Sequence, residues 1–331
     1  MVYRVNRDPI IDNDRVLRVD RMRVGSFSQK FSYQGSTSGY SSGGYKNAYP
    51  PDALNVIDKF PFSSDTNSSD VGDLTNLTFA NAGVGSVSHG YDAGGRAWSP
   101  FAQHNVIQKY PFSSDANATD VGDLTGQKRG MTQGQTDGTD GYLSGGHIYP
   151  PDAYVNEIER FPFSSDGNTT DVGDLIHAAQ MGAGQSSETH GYTSGGTLPP
   201  PPYVNYTNVI QKFPFSSTAN ASDVGDLTYA RYGRAGASST THGYTIGGYS
   251  NIIDRFPFAS DANATDVGDT DGSTNSTSGH SSTTHGYISS MPPFAPAGAD
   301  ISKFPFATAT TNTSSVGDLS VYRTETAGTH V

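Results

Sequence analysis

The sequence contains no cysteine. That excludes disulfides, thiolate-bound metal centres and cysteine nucleophiles together, and leaves stability to packing and hydrogen bonding. Tryptophan is nearly absent, with Trp98 alone, and glutamate is confined to Glu157, Glu159, Glu188 and Glu325. No paired acids for glycoside hydrolysis, Gly-x-Ser-x-Gly elbow or phosphate-binding glycine loop stands out, so a non-enzymatic protein without a cofactor or resident metal is expected. Lysine and arginine number 20 against 32 acids, a net charge of −12, and form no basic stripe beyond the first 30 residues. Nucleic acid is therefore not an expected partner. No apolar run approaches the roughly 18 residues of a membrane span, and no hydrophobic signal core opens the chain, so neither membrane insertion nor signal-directed secretion is expected.

Apolar residues make up only 34%, against 39 glycines and 19 prolines, a composition close to that of disordered chains. The aromatics argue otherwise. Nineteen Tyr and sixteen Phe recur at fixed places, as side chains with positions in a core do. An aromatic-Pro-Phe element begins at Phe60, Tyr110, Phe161, Phe213, Phe256 and Phe304, so successive copies stand 50, 51, 52, 43 and 48 residues apart. A period near 50 marks a repeat architecture.

Each unit opens on a short strand that ends in glycine, such as His89-Gly90-Tyr91-Asp92-Ala93-Gly94-Gly95; the sixth, from His285, loses the double glycine. A variable, proline-rich loop follows, then a strand of the form Ile-x-Lys/Arg-aromatic-Pro-Phe. Ile57, Ile107, Ile158, Ile210, Ile253 and Ile301 all stand three residues before the aromatic, so the two apolar side chains point to opposite faces of a strand buried on both sides. The polar stretch Ser-Ser-Asp-x-Asn-x-Thr/Ser-Asp reads as a turn in which Asp and Ser bond the backbone two residues on and Asn tolerates the left-handed region. Val-Gly-Asp-Leu then begins a further strand. A Gly/Ala/Ser segment such as Arg231 to Thr240 completes the unit. Arg323 to Thr329 has the same spacing beyond its Asp-Leu, so the C-terminal strand is expected to complete the unit begun by Gly39-Tyr40.

Four short strands per unit, without helical periodicity, predict an all-β, six-bladed β-propeller over residues 31–331, closed by pairing of its N- and C-terminal strands. Residues 1–30 differ: arginines alternate with Val5, Ile10, Ile11, Val16, Leu17, Val19 and Val24, and the repeat elements are missing. This N-terminal extension is expected to be either a strap lying on the domain or a docking segment that orders against a partner or a second copy of the chain.

Strand, double glycine, loop, apolar strand, turn and strand, in that order, resemble kelch-type propeller repeats over roughly residues 31–331, although the tryptophan usual late in a kelch repeat is missing. Ser113-Ser114-Asp115-Ala116-Asn117-Ala118-Thr119 also resembles the Asp-box of sialidase-type propellers, with Asp120 in place of the aromatic; in that family the box implies architecture and no chemistry. The wording Phe-Pro-Phe-Ser-Ser-Asp-x-Asn-x-Thr-Asp-Val-Gly-Asp-Leu is similar to repeat proteins of tailed bacteriophages, particularly marine ones. That resemblance implies a virion protein, a tail fibre, knob or decoration protein, anchored to other virion proteins through residues 1–30 and capable of forming homo-oligomers. It implies fold and setting; a function has to rest on a site. The copper-radical oxidases on kelch propellers need a Cys–Tyr crosslink, which this chain lacks. The alternative from another class is a carbohydrate-active enzyme, sialidase-like or lyase-like, on the same scaffold; a cellular kelch adaptor would need a partner domain such as a BTB segment.

The candidate sites compete with structural readings. Asp115, Asn117, Thr119, Asp120 and Asp123 are hard oxygen donors at close spacing, yet Asp120 fills the place of the glycine of a calcium loop and no bidentate Glu follows, so a structural turn is expected. Asn67, Asn117, Asn168, Asn220, Asn263 and Asn312 stand in Asn-x-Ser/Thr, which turn chemistry also explains. His89, His190, His242 and His285 precede Gly-Tyr at equivalent places and are expected to be hydrogen-bonded scaffold residues. The basic residues Lys59, Lys109, Arg160, Lys212, Arg255 and Lys303 are expected to pair with a turn or strand aspartate such as Asp70 or Asp73. The variable loops 45–55, 96–104, 147–156, 197–207 and 291–299 carry Tyr49, Trp98, Phe101, Tyr149, Tyr154, Tyr203, Tyr206 and Phe294, which suit stacking on sugars or packing on protein; contact with host-surface glycan is the secondary expectation.

Overall fold

The computed structural model describes residues 33–46, 52–98, 101–131, 134–199, 205–274, 276–290, 299–308 and 312–331, together with the backbone of two short strands near the N-terminus; Arg234 is described by its backbone alone. The chain divides into two compact units, Met1–Phe31 and Ser32–Val331. In the first, Arg4–Val5 pairs antiparallel with Asp8–Pro9. The remainder of the expected docking segment lies outside the described residues.

The larger unit is all-β, with no helix among the described residues. Repeat four shows the plan: Ala183–Ser186, His190–Leu198, Asn205–Pro214 and Ser222–Asp226 lie side by side in chain order, each antiparallel to the next. The sheets of repeats two, three, five and six have the same order. In repeat one the first place is taken by the C-terminal strand: Ala327–His330 pairs with Ser38–Ser42, Tyr40 opposite Thr329, and Asp52–Pro61 and Ser69–Thr78 follow.

The third strands are buried on both faces. Ile57, Ile107, Ile158, Ile210, Ile253 and Ile301 are fully buried, and so are the aromatics three residues on. The core is made between sheets: Tyr40, Ile57 and Leu74 of repeat one pack with Tyr110 and Phe112 of repeat two. The tyrosine of each Gly-Tyr lies on the aromatic-Pro-Phe pair of the next repeat, as Tyr91 does on Phe161 and Phe163 at 5.3 and 4.8 Å between ring centroids. Tyr287 of repeat six does the same with Phe60 and Phe62 of repeat one, at 5.8 and 4.7 Å. Each fully buried aromatic or isoleucine contributes about 1.5–3 kcal/mol, so this seam is the main stabilising contact between repeats.

The strand expected to begin at Val-Gly-Asp-Leu begins earlier, at Thr119 in repeat two, because the polar Thr-Asp pair already bonds the third strand. A bulge interrupts that pairing, and its glycine has two duties. Gly173 has φ 155°, and a Cβ on it would lie 2.4 Å from the carbonyl oxygen of Ala219 in the next repeat.

The first strands approach one another closely. A Cβ on Gly236 would sit 2.1 Å from the carbonyl oxygen of Gly184. Ala82–Gly85 lies beside both Gln135–Thr136 and Ala327–His330, and further neighbours run from Gln135–Thr136 through Ala183–Ser186, Arg234–Ser238 and Ser278–Ser281 to Ala327–His330. Just before each first strand stands a residue in the left-handed region: Ala80, Gly130, Met181, Gly233, Ser276 and Glu325, with φ from 52° to 66°. Each donates its N–H to the carbonyl of the one before: Gly130 to Ala80 (2.7 Å), Met181 to Gly130 (2.6 Å), Gly233 to Met181 (3.1 Å), Ser276 to Gly233 (2.6 Å) and Glu325 to Ser276 (2.8 Å). Ala80 donates to Glu325 at 3.0 Å.

Candidate functional site

Most of the recurring polar residues are engaged in holding repeats together. Asn117 Oδ1 accepts the backbone N–H of Asp73 at 3.1 Å, while the N–H of Ala118 reaches the Asp73 carbonyl at 2.8 Å. The same clamp joins Asn168 to Asp123, Asn220 to Asp174, Asn263 to Asp226, Asn312 to Asp269 and Asn67 to Asp318. None of these asparagines uses the left-handed region that Asn tolerates; the side-chain amide continues the neighbouring strand's bonding. The aspartate before Val-Gly does bond two residues on, as Asp171 Oδ1 does with the N–H of Gly173 at 3.0 Å.

The basic residues also bond between repeats. Lys59, Lys109, Lys212 and Lys303 meet turn aspartates as expected, but those of the following repeat, Asp115, Asp166, Asp261 and Asp65, in place of Asp70 or Asp73. After Arg160 that place is held by Thr218, so the lysines stand where an acid awaits them. His89, His190, His242 and His285 each place Nδ1 2.8 Å from the hydroxyl of the preceding Ser or Thr. Burial lowers the pKa of His89 below the usual histidine value, Lys109 adds to that and Asp166 opposes it. Among the described residues no cluster of three or more His, Asp or Glu side chains comes together to hold a metal.

A buried polar position escaped sequence reasoning. The residue after each isoleucine, namely Asp58, Gln108, Glu159, Gln211, Asp254 and Ser302, is fully buried. All but Ser302 accept a backbone N–H from the chain leaving the previous repeat, as Gln211 Oε1 does from Ile176 at 2.6 Å. Where the residue is acidic, the preceding connection supplies a buried cation: Arg323 for Asp58 (3.0 Å), Lys128 for Glu159 (3.1 Å) and Arg231 for Asp254 (2.7 Å). Where it is neutral, the matching place, two residues before the left-handed residue, holds Thr78, Ala179 or Thr274. Charged and neutral pairs alternate around the repeats. A lone buried charge is costly, so the two positions are chemically tied.

Antiparallel order puts the loops between second and third strands at the same end of the sheets as the connections into the next repeat. Most of the exposed aromatics gather at this end. Trp98, Phe101, Tyr149 and Tyr206 are 40–52% exposed, Tyr154 is half-buried, and Tyr49, Tyr203 and Phe294 lie outside the described residues. Two groups form. Tyr206, Tyr232 and Tyr249 stack in a ladder at 4.6 and 5.0 Å, the exposed Tyr249 and the half-buried Tyr232 being additions to the expected set. Trp98, Phe101 and Tyr149 make the other, with centroids 6.4 and 6.0 Å apart. Phe101–Gln103 folds back on Arg96–Trp98 as a separate hairpin, and the Arg96 guanidinium lies 4.7 Å from the Phe79 ring and 4.1 Å from that of Trp98.

Between the connections lies a cavity of about 60 Å³, with Ala80, Met131, Met181, Ser276 and Glu325 in its wall. Burial pushes the Glu325 carboxyl up to about 7, against the pull of Arg129. Arg129 donates Nε–H to His147 Nδ1 at 2.8 Å, so His147 carries its proton on Nε2, toward Asp152. These residues form a supporting network; Tyr154 packs edge-on against His147 within it. No protein-family model matches the chain, and no curated protein does.

Proposed function

We propose that the chain is a non-enzymatic binding protein of a tailed-phage virion: a six-bladed, kelch-like β-propeller whose variable-loop face is presented to the host surface and whose residues 1–30 bind other virion proteins. The propeller reading is supported by the Tyr-on-Phe seam, which recurs from repeat one to six and back to one, and by the left-handed residues, whose backbone bonds run the same circuit. A wheel of this kind leaves only short, protected sheet edges. The phage setting rests on the likeness of the repeat wording to tailed-phage proteins.

The observation that carries the binding function is the division of labour between the two ends of the sheets. The recurring Asn, Asp, Lys and His residues are consumed by contacts that hold the scaffold together, whereas the non-repeating loops carry exposed aromatics. Such rings offer large, rigid, amphipathic contact area suited to sugar faces. Mass spectrometry of purified phage particles tests the setting: the protein is expected at a fixed copy number per particle, and its absence would remove the virion reading. An experimental structure with a number of sheets other than six would remove the propeller.

A further inference from the structure

We infer that the hairpin of repeat two and the Tyr149 loop of repeat three form a site for an acidic sugar residue, one that carries a carboxylate. The site rests on the reading of the variable-loop face as a glycan-contacting surface, and it gives that surface a ligand class and two polar contacts.

The hairpin register sets Arg96 opposite Gln103 and Trp98 opposite Phe101, so all four side chains share one face, while Ala97 and Ala102 take the other. The Arg96 guanidinium lies against both the Phe79 and the Trp98 ring, which themselves stand 5.6 Å apart between centroids, so two ring contacts restrain it before any ligand arrives. No carboxylate among the described residues pairs with it, and its Nε lacks an acceptor. Gln103 is 5% exposed; its Oε1 accepts the N–H of Tyr149 at 3.0 Å, which orients the amide, and its Nε2 has no partner. The unpartnered polar atoms here, Arg96 Nε and Gln103 Nε2, are therefore donors on a positive centre, buried beside the exposed ring of Trp98. A carboxylate satisfies planar guanidinium donors in a bidentate way, and the C–H face of a pyranose packs on an indole.

Size separates a sugar from a protein partner. The exposed parts of Trp98, Phe101 and Tyr149 amount to roughly 300 Å², well below the roughly 800 Å² per partner of a stable protein interface. The net charge of −12 opposes an anion at long range. At physiological salt that field is screened beyond about 8 Å, and a guanidinium in contact prevails.

The test uses the full chain, titrated calorimetrically with methyl glucuronide, methyl glucoside and acetate. Wild type is expected to bind the glucuronide tenfold or more tightly than the glucoside, and acetate far more weakly. Trp98→Ala is expected to weaken both sugars. Arg96→Gln is expected to abolish the preference for the acid, and Gln103→Glu to do the same by pairing with Arg96 while keeping the acceptor for Tyr149, so a folded protein is available even if Arg96→Gln unfolds. Equal binding of the two sugars, or a preference that survives in folded Gln103→Glu, overturns the acidic-sugar site. Acetate binding as tight as the glucuronide overturns it in favour of a bare anion site. Neutral glycans bound on an array without acidic ones end this inference and leave the glycan-contacting face standing; a well-folded protein that binds no glycan ends both.

Discussion

At the scale of single residues, the buried charges are the sharpest case. Asp92 is fully buried, accepts from Ser42 Oγ at 2.7 Å and from Asn81, and leaves Oδ1 without a partner. Burial raises its pKa from 3.8 to about 7, against those two hydrogen bonds. Its neutral form therefore supports the fold fully below pH 3.8, and that support is lost as pH rises through about 7. In urea titrations, Asp92→Asn should gain on wild type by about 1.4 kcal/mol per pH unit between those values and no further above them. His280 runs the other way. Burial lowers it from 6.5 to about 3, so its contribution is complete above pH 6.5 and declines below. For the buried pair of Arg231 and Asp254, Arg231→Met alone should cost about 3–5 kcal/mol, because Asp254 stays behind as a buried charge. Arg231→Ala with Asp254→Gln, which copies Ala179 and Gln211, should return to within about 1 kcal/mol of wild type; chemical denaturation of the three proteins decides it.

Elements meet through the turn that precedes each fourth strand. Asn220→Ala removes the acceptor of the Asp174 N–H and should cost about 1 kcal/mol by thermal or chemical unfolding. Gly173→Ala, on the strand that receives this turn, should cost about 1–3 kcal/mol more than a neutral surface change, since its Cβ collides with backbone rather than with a movable side chain. The exposed Lys59–Asp115 contact should contribute under about 1 kcal/mol and fade with salt. If the turn were only a hairpin closure, Asn220→Ala would leave unfolding unchanged. That would remove the clamp from the account of how neighbouring sheets adhere. The turn's position was legible from its Ser, Asp and Asn, but its main partner was not, because that partner lies in the preceding repeat, 46 residues away in the case of Asn220.

For the whole molecule, the pairing of Ala327–His330 with Ser38–Ser42 joins the two ends of the repeat array. Deleting residues 327–331 would bare the edge of Ser38–Ser42 and remove a first strand flanked on both sides. The shortened protein should lose cooperative unfolding and associate, as light scattering would reveal; a monomer with an unchanged melting curve would contradict that role. The repeat period, the strands, the turns and the double-faced burial of the isoleucine strand were determined by the sequence alone, since each depends on side-chain alternation and turn chemistry within a few residues. The docking segment could be recognised only as different. Tertiary structure alone decided which repeat each Asn and Lys binds, that buried charges come in matched and alternating pairs, and that Arg96 lies against the rings of Phe79 and Trp98. Those facts depend on the register of one sheet against the next, and the residues involved come from separate repeats or from facing strands of a loop.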